Sequence, residues 1–108
     1  MLHTGLTSDK WKTFSVDKQI LMIANEMNRA KNWIEKKDFE KVLHCYERAF
    51  ELIDLTVGTS NSRNFNRELL RFREQLALEY IHKEHVFDEV LYRMLLGLNV
   101  KSFNILYT

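Results

Sequence analysis

The sequence is short of the features that mark secreted, membrane-bound or nucleotide-binding proteins. One cysteine among 108 residues excludes an internal disulfide, so nothing indicates a cross-linked extracellular scaffold. No apolar run approaches the roughly 18 residues that a membrane span needs, and the first residues lack a basic patch followed by an apolar stretch. Of the three glycines, Gly58 stands alone in its polar stretch, so no phosphate-cradling loop is present. A formal charge of +1 exerts no global pull towards nucleic acid or acidic membranes. These absences point to a cytoplasmic protein with no membrane contact and no cofactor.

What remains is the composition of an ordinary globular chain, 45% hydrophobic and 29% charged. A chain of this length forms one domain, with roughly two thirds of its unfolded surface buried. Cys45, beside Val42, Ala49 and Leu52, reads as a small core residue.

Hydrophobic spacing predicts helices throughout. Val16, Ile20, Ile23, Met27, Ala30 and Ile34 recur at alternating steps of four and three, and so do Phe39, Leu43, Tyr46, Phe50, Ile53 and Val57. Only the turn Lys36, Lys37 and Asp38 joins the two helices, and so short a connection makes them antiparallel neighbours. Ser15 and Asp38 are the expected caps, with Phe14 as a hydrophobic staple before the first helix. Glu26 with Arg29, and Lys31 with Glu35, are expected as pairs on an outer face.

The polar run from Gly58 to Asn64 is the expected loop, with Asn64 capping a third helix. That helix carries Phe65, Leu69, Phe72, Leu76 and Tyr80 inward, with Leu70, Ala77 and Ile81 widening the stripe. A fourth, short helix follows, apolar nearly all round. Val86, Phe87, Val90, Leu91, Met94, Leu95 and Leu98 form its broad face, while Tyr92 and Leu96 point elsewhere. The expected fold is therefore all-α, a four-helix up-and-down bundle with helices at about 15–36, 38–57, 64–84 and 86–98. Residues 1–12 form an aperiodic lead-in, from which Leu2, Leu6 and Trp11 could dock, and 99–108 an apolar tail.

The hairpin of residues 28–57 resembles a single tetratricopeptide unit in Ala30, Trp33, Asp38, Val42, Tyr46 and Ala49. One repeat length of about 34 residues further on, Arg67 and Phe72 replace Trp33 and Asp38, and no proline closes the unit, so the resemblance extends to one hairpin. It implies a scaffold for protein contacts.

Functional candidates fall into three groups. A helix apolar on both sides needs burial on both sides, which predicts a homodimer or protein-partner interface at Tyr92, Leu96, Phe103, Leu106 and Tyr107. Glu79 with His82 is a Glu-x-x-His pair on one helical face, and His85 could complete a transition-metal site in a small metal protein or enzyme. Arg67 and Arg71, one turn apart, could grip an anion or RNA, although Glu68 and Glu74 stand close enough to neutralise Arg71. No serine or cysteine stands in a nucleophile context. The favoured expectation is a noncatalytic interaction or assembly module.

Overall fold

The computed structural model of the protein describes residues 7–98. Among these residues it contains five helices and no strand: α1 (Ser8–Trp11), α2 (Val16–Glu35), α3 (Phe39–Thr59), α4 (Arg63–Ile81) and α5 (Glu89–Gly97). The four longer helices form the expected all-α bundle. α2 packs on α3, α3 on α4 and α4 on α5, and α5 returns against α2 to close the ring.

Every helix starts at a side chain that accepts a hydrogen bond from the amide three residues on. Thr7, Ser15, Asp38, Ser62 and Asp88 play this part, each satisfying one of the donors that a helix start leaves unpaired. Several boundaries differ from those read in the sequence: α3 runs on to Thr59, α4 ends at Ile81 rather than near residue 84, and two helix starts move. Ser62, not Asn64, caps α4, because the earlier start adds the Asn66 amide to Ser62 carbonyl bond at 3.0 Å and lets Asn66 Nδ2 reach back towards the Ser60 carbonyl. Likewise α5 starts only at Glu89, because Asp88 supplies a carboxylate cap at 3.0 Å from the Leu91 amide. Val86 and Phe87 therefore belong to the connection.

The turn between α2 and α3 is a complete Schellman motif. The Asp38 amide donates to the Trp33 carbonyl at 2.9 Å and the Lys37 amide to Ile34 at 3.0 Å, which requires Lys37 to adopt a left-handed φ of 59°. A lysine tolerates this conformation less well than glycine would.

The core centre lies beside the stripe read for α3. Val42, Cys45, Ala49, Leu52 and Thr56 are fully or almost fully buried, whereas Phe39 is exposed and Leu43, Phe50 and Val57 are half-buried. α3 meets α1, α2 and α4, so its buried face is wider than one stripe. Trp11 seats α1 on that face: the indole N–H donates to Thr56 Oγ1 at 3.0 Å, and the hydroxyl in turn donates to the Leu52 carbonyl at 2.9 Å. Gln19 Nε2 secures the α1–α2 corner by donating to the carbonyls of Trp11 and Phe14. Residues 7–12 of the lead-in are thus structured and form one face of the core.

Glu26 is also placed differently from expectation. It is buried, with 5% of its surface exposed, and its carboxylate takes Arg29 on one oxygen at 3.1 Å and Arg48 of α3 on the other at 3.0 Å. The helix-surface pair with Arg29 exists, but the second arginine draws the carboxylate into the α2–α3 interface. Arg48 Nη2 also donates to Cys45 Sγ at 3.2 Å. Burial raises the Cys45 thiol above its ordinary value despite the opposing pull of Arg48, which leaves the sulfur an inert core atom.

Candidate interaction surface

The three groups of candidate residues fare differently in the folded chain. Tyr92 and Leu96 do not face outward: with Leu91 and Leu95 they form the buried face of α5, at 7% exposure for Tyr92 and none for Leu96. The Tyr92 hydroxyl accepts a hydrogen bond from Asn28 Nδ2 of α2 at 3.0 Å, and its ring lies against Phe87. The expectation that these two side chains face a second subunit is corrected: they are buried within their own chain, where α5 packs against α2 and α4, while Val90 of the same helix stays exposed. Phe103, Leu106 and Tyr107 lie outside the described residues.

Glu79, His82 and His85 do not converge. Among the described residues no group of three histidine, cysteine, aspartate or glutamate side chains is placed to hold a metal ion. His82 turns back on its own backbone, its Nδ1 accepting from the Glu84 amide at 3.2 Å. His85 lies against the rings of Phe39 and Tyr46. The seven-residue stretch after Ile81 is not helical, so the helical spacing that would bring His85 back over His82 is absent.

Glu79 meets Asp88 instead. Burial, followed by a hydrogen bond to Asp88 and the charge of that neighbour, raises the Glu79 carboxyl above its ordinary value. The two carboxyl groups repel one another when both are ionised, which favours the protonated form of Glu79. Nearby, burial together with the charges of Glu79 and Asp88 pushes the Tyr46 hydroxyl up to about 12. A phenol so reluctant to ionise is a poor nucleophile or base. The cluster ties the cap of α5 to the end of α4, and its protons are held by burial and mutual repulsion.

The arginines of α4 divide by direction. Arg73 turns towards α3 and forms a two-pronged ion pair with Asp54 at 2.9 and 3.2 Å, its guanidinium lying over Phe50. Arg71 reaches Glu68 at 3.4 Å along the helix surface. Arg67 is exposed and has no carboxylate partner among the described residues. Arg67 and Arg71 do share a face, as their spacing implies.

That face also carries three exposed apolar side chains. Of the seven large hydrophobic side chains exposed in the described residues, Leu70 (42%), Leu78 (57%) and Ile81 (73%) lie on α4, and Val86 (66%) and Val90 (78%) follow it. Leu70 and Ile81, expected to widen the buried stripe, point away from it because α3 and α5 flank α4 on either side of Leu69, Phe72 and Leu76. Two hollows run along the outside of α4. One of about 560 Å³ is lined by Arg63, Asn66, Arg67, Leu70, Arg71 and Glu74, and one of about 570 Å³ by Leu78, Ile81, His82 and Lys83. Leu78 was not singled out from sequence, and Glu74 was read only as a neutralising neighbour of Arg71. The available signal was that both fall on the Arg67 and Arg71 side of the helical wheel, opposite Leu69 and Phe72.

No family model, no curated protein and no solved structure matches the chain. Among the described residues, no helix is long and apolar enough to cross a membrane.

Proposed function

We propose that the protein is a noncatalytic assembly module, a rigid helical bundle that acts by presenting α4 to another protein surface. The observation that carries this reading is the concentration of exposed Leu70, Leu78 and Ile81 on α4, followed by Val86 in the connection and Val90 at the start of α5. Apolar side chains grouped on one face beside charged ones favour association, whereas single scattered ones need no explanation. The candidate metal-binding groups give no competing support, because among the described residues no three such side chains are grouped to hold an ion. The closed ring of helices, with a core reaching from Trp11 to Leu96, supplies the stiffness that an unchanging docking face requires.

Sedimentation of the purified chain from nanomolar to high micromolar concentration tests the reading. The expected result is reversible self-association that Leu78→Ser/Ile81→Ser abolishes while the helical circular dichroism is kept. A chain that stays monomeric throughout that range overturns the self-assembly reading.

A further inference from the structure

The outer face of α4 is self-complementary, and from this we infer that the protein pairs with a second copy of itself through an antiparallel α4–α4 contact. The inference rests on the assembly reading above and names its surface and register. Arg67, Arg71, Glu74, Leu78 and Ile81 follow one another at steps of four, three, four and three, the spacing of a helix–helix seam. These positions lie opposite the buried Leu69, Phe72 and Leu76, and the two hollows along them are bordered by no other described helix. Glu74, like Arg67, has no charged partner among the described residues, and Arg71 holds Glu68 only at 3.4 Å with both side chains largely exposed.

Charge decides the register. When two copies of α4 lie antiparallel about a twofold axis, one alignment sets Arg71 opposite Glu74 of the partner subunit. The symmetry then repeats the pair and sets Arg67 opposite Leu78 of the partner subunit. Both carboxylates are matched, and the aliphatic stems of the arginines lie across the leucines with their charged heads in water. Sliding one heptad in one direction puts Arg67 against Arg71 of the partner subunit. Sliding one heptad in the other puts Glu74 against Leu78 of the partner subunit, covering a carboxylate with no partner. Of these three alignments only the central one sets opposite charges against each other, with Ile81 then opposite Asn64 of the partner subunit. Because α4 is about 28 Å long at 1.5 Å per residue, this single helix pair makes a modest interface, suited to a reversible dimer.

The test exchanges the charges. Arg71→Glu makes both crossing contacts repulsive, and so does Glu74→Arg, so each variant alone is expected to dissociate with its dimer dissociation constant raised about tenfold or more. An equimolar mixture of the two variants restores both contacts and is expected to form a heterodimer, counted by native mass spectrometry. The double variant R71E/E74R is expected to regain the homodimer. Both positions are exposed, and circular dichroism checks that the fold is retained. If the wild type is dimeric and the single variants remain equally dimeric, or if the mixture shows no preference for the heterodimer, the α4 contact is overturned while the assembly reading stands. A wild-type chain that is monomeric at every concentration overturns both.

Discussion

The indole N–H of Trp11 donates to the hydroxyl of Thr56, 45 residues away, at 3.0 Å in a site from which both residues are wholly withdrawn from solvent. This bond fastens the single turn of α1 to the far end of α3, and it is the polar member of an otherwise apolar contact. Thr56→Val keeps the shape but leaves the indole donor unpaired, so it is expected to destabilise the protein by about 1–3 kcal/mol. Trp11→Phe/Thr56→Val is expected to cost less than the sum of the two single changes, since neither group is then stranded. Urea titration of the four proteins measures the difference.

Arg48→Ala is expected to be among the more damaging changes to a partly exposed residue, at about 3 kcal/mol. It leaves the buried Glu26 carboxylate with only the largely exposed Arg29, and removing one member of a buried ion pair strands the other. Arg48→Ala/Glu26→Gln is expected to recover part of the loss. A pair of thermal melts checks the order of the three proteins.

The sign of the Glu79 effect follows from its proton. The folded chain holds that proton more tightly than the unfolded chain, whose glutamate titrates near 4.5. The contribution is therefore fully favourable below about pH 4.5 and is lost as the pH rises through the higher folded value. Glu79→Gln supplies a permanent donor to Asp88. It is expected to raise the melting temperature at pH 7 and to leave it nearly unchanged at pH 4, where wild-type Glu79 is itself protonated. A melting temperature lowered at pH 7 would show that burial and the neighbouring Asp88 do not disfavour the ionised Glu79 in the folded chain.

Lys37→Gly is expected to stabilise the α2–α3 turn by about 0.5–1 kcal/mol, because the left-handed backbone at this position carries a steric penalty that glycine escapes. The change leaves both Schellman hydrogen bonds in place, since they are made by backbone amides. Differential scanning calorimetry is sufficient to see it.

Local chemistry made the hairpin legible in the sequence: Ser15 and Asp38 cap where their side chains and neighbours indicate, and the spacing of Ile20, Ile23, Met27 and Ala30 finds the core of α2. Where several partners compete, periodicity alone was a poor guide. Glu26 reads as a surface residue until Arg48 approaches from the next helix, and no spacing within α2 contains that information. Tyr92 and Leu96 read as surplus because a helix apolar all round can be covered by neighbours of its own chain as well as by a second subunit. The candidate surface was half legible: Arg67 and Arg71 share their expected face, but Leu70 and Ile81 were assigned inward by their hydrophobicity when the flanking helices leave no room for them there.

The two tryptophans sit in opposite settings. Trp11 is sealed within the core, whereas the half-buried Trp33 has the ammonium groups of Lys36 and Lys41 over its ring at 4.9 and 4.2 Å. The chain thus contains two intrinsic fluorophores with separable emission, a blue-shifted one that reports detachment of the amino-terminal turn and a redder one that reports the state of the hairpin bend. Replacing either by phenylalanine isolates the other, so loss of order at the two ends of the bundle can be timed independently in one stopped-flow experiment.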